Sequence, residues 1–284
     1  MALLLLAHAA LGDRCIAATV DHGLRAASTD EAAWVAAVCA ARGIRHLILA
    51  GTLPERVDAT ANVSARARAL RYRLLEEARV ATGAAAVATA HHADDQLETV
   101  VMRLNRGAGV GGLAGVRARS GLVIRPLLGW RRIELAAVVA AVGIDPVADL
   151  TNVDDRYDRA RLRKSLAGTD WLDPRGAVTS AAALADADAA LDWMMARLFV
   201  EERIDGSRWR VPADLPVELA RRLLLACVRA IRPEASPRGE VAARAARALL
   251  AGERAMLADV IVTVGGAPGA PIWHVRPAPP RRSR

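Results

Sequence analysis

The sequence has few aromatic residues and no long hydrophobic run, and each shortage excludes a class of protein. Aromatic residues make up 3% of the 284 positions although 53% are hydrophobic, so alanine, leucine and valine supply most of the apolar mass. Such a composition favours helices and helix-covered sheets over a β-sandwich. The opening segment MALLLLAHAALG superficially resembles a secretion signal, but its apolar run is short and no positive residues precede it. We interpret it as the first helix of a domain, and no later segment is long enough to cross a membrane.

Paired cysteines are missing and lysine is almost absent. Cys15, Cys39 and Cys227 form no C-x-x-C pair, which argues against a disulfide framework or a zinc knuckle and fits a reducing cytoplasm. Lys164 is the one lysine among 39 basic residues, which outnumber the 31 acidic residues and give a net charge of +8. Arginine pairs bidentately with phosphate and keeps its charge when partly buried. The balance therefore raises the expectation of a nucleic-acid partner, and a soluble protein that is merely basic is the alternative.

Strand-like and helix-like segments alternate through residues 1–167. The predicted strands are 15–20, 46–50, 85–90 and 122–124, and the predicted helices between and after them are 28–42, 62–82, 93–105 and 130–142. This alternation predicts an α/β fold, a doubly wound parallel sheet covered by helices on both faces.

The pattern changes at 168–176, where turn residues predict a linker. Residues 177–276 predict a second, smaller, mainly helical domain, and 277–284 predict a disordered tail. The expected helices and strands of this domain lie near 178–202, 209–211, 216–231, 239–250 and 259–264.

Polar residues follow two of the predicted strands, where ligands of an open parallel sheet gather. One cluster begins Val20-Asp21-His22, and the other is HHADDQLET, residues 91–99. Asp95 and Glu98 are three residues apart on a predicted first helical turn, so their carboxylates share a face. Acidic residues also suit a helix N-terminus electrostatically, which is the plainer interpretation.

Paired carboxylates can bind a metal ion, an ammonium group or a magnesium–nucleotide complex, and the pattern leaves all three open. A metal-dependent hydrolase built on HHADD is one alternative. Adjacent histidines on a strand point to opposite faces, however, so His91 and His92 cannot easily share one ion.

Three arginine-rich segments could meet phosphates. In the helix around Arg71, one or two arginines could contact ATP. The segment RLNRGAGVGGL, which begins at Arg103, is a flexible glycine-rich loop that could close over a nucleotide or contact RNA, although it lacks the Walker lysine. The basic end of NVDDRYDRARLRK, residues 152–164, is the best candidate for an RNA-backbone contact, and an exposed charged hinge is the alternative.

Taken together, these segments resemble the tRNA(Ile)-lysidine synthetases, a family of N-type ATP pyrophosphatases with a PP-loop. The matching stretches occur in the family's order over roughly residues 1–165 and are VDHGLR, ARALRY, HHADDQLET, RLNRGAGVGGL, IRPLL and NVDDRYDRARLR. The resemblance implies a reaction in which ATP, with Mg²⁺, adenylates the C2 oxygen of the wobble cytidine of tRNA(Ile) with a CAU anticodon. The ε-amine of free L-lysine then attacks C2, and AMP leaves.

The resemblance also implies roles for individual residues. Asp95 and Glu98 would hold the lysine ammonium, and Arg71 and Asp95 would be catalytic. The residues expected to line the ATP site are Val20, Asp21, His22, Arg71 and His91. Those expected to contact tRNA are Arg103, Arg106, Arg159, Arg161 and Arg163. The metal ligands stay unassigned, and a homodimer is an open alternative.

The sequence departs from the family in two places. The family has a strand and an SGGxDS phosphate loop directly before the helix that begins here as MALLLLAHA, so we expect a misplaced start rather than a loopless enzyme. Without that central strand, two sheet edges would be unpaired. Ala160 stands where the family usually has Asn. A tRNA-binding remnant without catalysis is an alternative, and the absence of C-x-x-C disfavours a sulfur-transferring relative.

Overall fold

The computed structural model describes residues 1–21, 27–52, 63–145, 158–267 and 269–279. It divides into two units, Met1–Ala185 and Asp186–Arg284. The division falls inside a long helix, Pro174–Glu201, which begins within the predicted linker at 168–176. None of the described helices is both long and apolar enough to cross a membrane.

The first unit alternates helices and strands as the sequence predicts. Its elements in chain order are α1 (Ala2–Leu11), β1 (Ile16–Asp21), α2 (Ala27–Ala40), β2 (Arg45–Ala50), α3 (Val63–Thr82), β3 (Val87–Ala88), α4 (Ala93–Leu104), α5 (Val110–Leu113), β4 (Arg119–Ser120), β5 (Val123–Ile124), α6 (Arg132–Ala141), α7 (Asp158–Leu166) and α8 (Pro174–Glu201). The predicted helices and strands are found with small shifts of their ends, and β4, α5 and α7 are additions.

The strands of the first unit form two sheets. β1 and β2 are parallel, with Ile16 opposite Arg45 and Asp21 opposite Ala50. β3 pairs in parallel with β5, and β4 is antiparallel to β5. Within the described ranges, no strand joins the two sheets. Parallel pairing between strands separated by helices confirms the α/β class, and within each parallel pair it brings the strand ends to a common edge.

The opening helix packs inside the first unit. Ala2 of α1 lies in a buried cluster with Leu127, Leu135, Val139 and Ile144, and α1 contacts α6. The MALLLLAHAALG segment is therefore a domain helix, as the sequence predicts.

The second unit combines helices with an antiparallel sheet. After the end of α8 come β6 (Arg208–Arg210), α9 (Val217–Ile231), α10 (Gly239–Leu250), β7 (Ala255–Leu257), β8 (Val260–Ala267) and β9 (Ala270–Pro277). The sheet has the order β6-β9-β8-β7. Trp209 and Trp273 lie at the centre of its core with Leu223 and Leu224 of α9. The sequence predicted the helices and two of the strands, and missed β7 and β9. The predicted tail lies mostly outside the described residues, although its first residue, Pro277, ends β9.

Candidate functional site

Asp94 joins the N-termini of two helices. Its Oδ2 accepts a hydrogen bond of 2.7 Å from the backbone N–H of Arg132, the first residue of α6, and its Oδ1 lies 3.4 Å from the guanidinium of Arg131. Burial alone would raise the pKa of Asp94, but the hydrogen bonds from Arg132 and Arg131 together hold it below its usual value. Asp94 thus has the helix-terminal role that its position in the sequence allows.

His92 and Asp95 cap α4 reciprocally. The His92 Nδ1 accepts from the Asp95 backbone N–H at 3.3 Å, while the His92 backbone N–H donates to Asp95 Oδ2 at 3.1 Å. This capping box fixes the first turn of α4. It leaves Asp95 Oδ1 as the carboxylate oxygen that faces α7.

Asp95 and Glu98 share one face of α4, as predicted, and a guanidinium of α7 bridges them. Arg159 donates from Nε to Glu98 Oε2 at 2.7 Å and from Nη2 to Asp95 Oδ1 at 3.3 Å. Arg163 donates from Nε to Glu98 Oε1 at 2.8 Å and from Nη2 to Oε2 at 3.2 Å. The Glu98 side chain is 5% exposed, so these contacts are shielded from water.

The Glu98 cluster is ionised. Burial alone would raise the pKa of Glu98, but the hydrogen bonds from Arg163 and Arg159 outweigh it and lower that pKa. The hydrogen bond to Glu98 correspondingly raises the pKa of Arg163. A buried carboxylate with hydrogen-bonded guanidinium partners is the arrangement in which a buried charge is tolerated.

His91 stands at the end of β3 among three arginines. Its Nδ1 lies 3.0 Å from the Thr89 hydroxyl. Burial lowers the pKa of His91; Asp95 opposes that shift, and the positive charges of Arg125, Arg68 and Arg159 add to it. His91 is therefore a neutral imidazole at neutral pH, beside positive groups that suit a phosphate.

Arg125 and Arg68 are additions to the residues that the sequence singled out. β3 and β5 are parallel, so Arg125, which follows β5, comes to the same sheet edge as His91. Arg125 is buried and donates from Nη1 to the Arg117 carbonyl at 2.7 Å, and its Nε has no partner among the described residues. Arg68 lies one helical turn before Arg71. The signals were present, since Arg125 is the arginine of IRPLL and Arg68 belongs to the same basic row as Arg71.

The glycine-rich segment is bound to α4 rather than free. Arg103 donates from Nη1 to the carbonyls of Gly112 and Gly115, at 2.6 and 2.9 Å. The buried Gln96 amide accepts from the backbone N–H of Val116 at 2.7 Å and donates to its carbonyl at 3.2 Å. Gly115 has φ +61°, and a Cβ there would lie 2.6 Å from Gln96 Oε1. The structure thus shows the end of this segment hydrogen-bonded to α4, and its flexibility stays a prediction.

The remaining residues predicted to line the ATP site are Val20, Asp21, His22 and Arg71. Asp21 ends β1 and accepts from the hydroxyls of Ser28 and Thr29 at 2.6 and 3.0 Å. Val20 precedes it in β1, and His22 lies outside the described residues. Arg71 is exposed on α3.

The five arginines predicted to contact tRNA divide into two groups. Arg106 and Arg161 are exposed and both pair with Asp158 at the start of α7. Arg103, Arg159 and Arg163 make the internal contacts given above. The roles of all five in tRNA binding stay predictions.

The part of the chain that the structure describes contains no set of side chains arranged as metal ligands. No group of three or more His, Cys, Asp or Glu side chains there is arranged to hold an ion. Asp94, Asp95 and Glu98 accept instead from backbone N–H groups and guanidiniums. The described residues therefore offer the metal-dependent hydrolase no coordination shell of the kind that it requires.

Residues 1–169 match the family model of the PP-loop domain. The first unit is thus a PP-loop domain by sequence as well as an α/β domain by structure.

The similarity to curated proteins extends through the second unit. The chain is 46% identical to the tRNA(Ile)-lysidine synthase of Novosphingobium aromaticivorans, over 99% of this chain and 86% of that protein. It is 35% identical to the tRNA(Ile)-lysidine synthase of Zymomonas mobilis subsp. mobilis, over 94% and 82%. The chain belongs to the tRNA(Ile)-lysidine synthase family.

Among solved structures it is similar to the U34-tRNA thiolase NcsA from Methanococcus maripaludis, with a TM-score of 0.46 and 21% identity over 60% of this chain and 61% of that one. That score is too low to bear on function.

Proposed function

We propose that the chain is an ATP-dependent ligase that joins L-lysine to C2 of the wobble cytidine of tRNA(Ile) with a CAU anticodon. An adenylated cytidine is the intermediate, and pyrophosphate and AMP are released. The observation that carries the proposal is the juxtaposition of an acidic pair, Asp95 and Glu98, with neutral His91 and its arginines at the edge where the parallel strands β3 and β5 end. The acids suit an ammonium and the arginines suit phosphates, which are the two charged groups that this reaction must bring together.

The proposed nucleotide site lies at the strand ends. Val20 and Asp21 would line the adenosine side with His22, and His91 and Arg71 would lie at the phosphates. Arg68 and Arg125 extend this set, because their positive charges act on His91. Mg²⁺ would accompany ATP through the phosphate oxygens, in the way that ion usually binds. Positioning and charge neutralisation would supply most of the catalysis.

The proposed lysine site is the acidic pair. Asp95 and Glu98 would hold the lysine ammonium, so that the ε-nitrogen, once deprotonated, forms the bond to C2 while the C2–O bond to AMP breaks. The nitrogen loses one proton before it attacks and a second as the C2–N bond forms, and these protons pass to solvent and to the departing AMP. Asp95 is the more accessible partner, with 17% of its side chain exposed against 5% for Glu98.

The proposed tRNA contacts follow the exposure of the arginines. Arg106 and Arg161 are exposed and can reach phosphate oxygens directly. Arg103, Arg159 and Arg163 would meet RNA only after giving up internal contacts. A tRNA substrate implies that the protein works in the cytoplasm. If the protein also forms a homodimer, light scattering would detect it.

The direct test is incorporation of labelled lysine. The protein is incubated with ATP, labelled L-lysine and an unmodified tRNA(Ile) transcript with a CAU anticodon, and a transcript with uridine at the wobble position serves as the control. We expect lysine to enter the first transcript alone, with one AMP released per lysine. Tight tRNA binding without incorporation, in this chain and in a form extended by any in-frame residues encoded upstream, would contradict the proposal and indicate a non-catalytic tRNA-binding protein.

A further inference from the structure

The acidic pair already carries a cation from its own chain. Arg159 reaches Glu98 Oε2 with Nε and Asp95 Oδ1 with Nη2, so its guanidinium lies between the two carboxylates. An ammonium bound by both acids would need these same two oxygens. The second oxygen of Asp95 is held by the His92 backbone N–H, and the second oxygen of Glu98 by Arg163.

The charges of this cluster are balanced. Asp95 and Glu98 contribute two negative charges, and Arg159 and Arg163 contribute two positive ones. A further cation arriving at a neutral cluster gains little Coulomb energy and finds its acceptors occupied. If Arg159 leaves, the cluster has one net negative charge and a vacant position between two carboxylate oxygens.

The two arginines are not equally able to leave. Arg163 binds both oxygens of one buried carboxylate, the bidentate geometry that gives the strongest guanidinium contact, and its side chain is 27% exposed. Arg159 divides its donors between two carboxylates and the Asp95 backbone carbonyl, with both contacts to Asp95 long, at 3.3 and 3.4 Å, and it is 42% exposed. Solvent can stabilise Arg159 after it departs, whereas the departure of Arg163 would leave Glu98 poorly compensated.

Arg159 also lies close to the edge proposed for the phosphates, because the Asp95 that it contacts is in the first turn of α4, four residues after His91. It is one of the three arginines whose charge acts on His91, at the edge proposed for the phosphates. A polyphosphate bound there attracts the same guanidinium that the acidic pair holds.

We propose that Arg159 is a resident occupant of the ammonium position, that the substrate amine binds by displacing it, and that phosphate near His91 favours the displacement. This inference rests on the proposed function. Arg159 is then a specificity-determining residue of the lysine site: it sets the affinity for the amine and couples amine binding to nucleotide binding. By linkage, the factor by which the nucleotide tightens lysine binding equals the factor by which lysine tightens nucleotide binding.

The test is equilibrium dialysis of labelled L-lysine against the full chain and three variants, with and without ATP. We expect Arg159→Gln to bind lysine about tenfold more tightly than the unchanged protein without ATP, since the internal competitor is gone. ATP should tighten lysine binding to the unchanged protein and have little effect on that variant.

Two matched variants separate displacement from general electrostatics. Arg161→Gln removes one positive charge from the same helix without touching Asp95 or Glu98, and we expect unchanged lysine affinity. Arg163→Gln removes the other partner of Glu98 and leaves Arg159 in place, so lysine should bind no more tightly. Circular dichroism establishes that each variant is folded.

Two results would overturn the inference. One is lysine affinity that is unchanged or weaker in folded Arg159→Gln, and the other is an equal gain in the Arg159, Arg161 and Arg163 variants. If lysine enters tRNA(Ile) normally in either case, the proposed function survives and only the role of Arg159 falls. If no protein binds lysine with or without ATP, both fall.

Discussion

Among the described residues, each unit has a buried cluster of arginine and carboxylate side chains, around Glu98 in the first and Arg222 in the second, and the two differ in a way that separates a structural clamp from a binding site. In the second unit, buried Arg222 of α9 contacts three acids, with Nη2 2.6 Å from Asp188, Nε 2.8 Å from Glu218 and Nη1 close to Asp192. Burial alone would lower the pKa of Arg222, but the hydrogen bonds to these acids raise it above its usual value. One guanidinium thus ties α9 to α8.

The cluster on α4 has as many guanidiniums as carboxylates and stands at strand ends beside His91. Its arginines come from a neighbouring helix that is itself basic, and one of them bridges two acids. The Arg222 cluster lies on helix faces and has three carboxylates for two guanidiniums, since Arg221 also pairs with Glu218. A guanidinium that is surrounded by acids holds two helices together. One that lies between an acidic pair and a phosphate-binding edge can move away and let a ligand take its place.

The largest expected effect is on the site cluster. Asp95→Ala should reduce the rate of lysine incorporation at least about 100-fold at subsaturating lysine, because an ammonium loses its accessible carboxylate. Steady-state incorporation at varied lysine concentration measures the loss, and filter binding measures tRNA affinity in parallel. An equal loss of tRNA affinity would contradict the assignment of Asp95 to the amine.

The clamp should respond differently. Arg222→Met removes the guanidinium that contacts Asp188, Asp192 and Glu218, and we expect the free energy of unfolding of the second unit to fall by about 2–3 kcal/mol. Urea unfolding followed by the fluorescence of buried Trp209 and Trp273 reports on that unit. Lysine affinity of the folded variant should not change. A variant with unchanged unfolding but weaker lysine binding would reverse the distinction between the two clusters.

Much of the site follows from local sequence. Asp95 and Glu98 were expected on one face of a helix over 93–105, and α4 spans Ala93–Leu104 with both acids on one face, because capping and helical spacing act over a few residues.

The partners of those acids do not follow from local sequence. Arg159 and Glu98 are 61 residues apart. A row of arginines in the sequence does not indicate which of them point into the protein and which point to solvent. The four-residue spacing of Arg159 and Arg163 was the available signal, since it places both on the face that an acidic pair could meet.

The fold, like the site, could be predicted in part from the sequence. Parallel strands separated by helices were expected and found, whereas β9 was missed. Its buried Trp273 and Val275 alternate as a strand requires, but Pro271 and Pro277 weaken the pattern at its ends. Pairing with β6 and β8 outweighs that local preference.

The glycine-rich segment offers a structural contrast to both clusters. Gly115→Ala should lower the free energy of unfolding by about 1–2 kcal/mol, because the residue has positive φ and a Cβ would meet the buried Gln96 amide. Thermal unfolding measures the change, with Gly121→Ala as the control, since Gly121 has a similar φ of +59° but nothing within 4 Å of its Cβ position. Equal losses would show that the Gln96 contact adds nothing.

The dependence of protein stability on pH tests whether Glu98 is ionised in the folded protein. The folded pKa of Glu98 lies below its usual value, so its contribution to stability is present above the unfolded pKa and is lost as pH falls through the folded one. Urea midpoints measured from about pH 7 to about pH 3 should fall less steeply for Glu98→Gln than for the unchanged protein. Identical slopes would contradict an ionised Glu98 in the folded state.

The smallest expected effect concerns tRNA. Arg106→Ala combined with Arg161→Ala should weaken tRNA(Ile) binding several-fold and flatten the dependence of log affinity on log salt by about 1–2. Filter binding between low and moderate salt measures both. A double variant with weaker binding but an unchanged salt slope would show that these arginines do not contact phosphates.

The central claim is that the acidic face of α4 binds the amine of lysine. Titration calorimetry of L-lysine into the protein with ATP present, repeated with Asp95→Asn, measures this without depending on turnover. We expect one lysine per chain for the unchanged protein and at least about 30-fold weaker binding for the variant, since an amide of the same size carries no charge. Equal lysine affinity for the two proteins would contradict the claim.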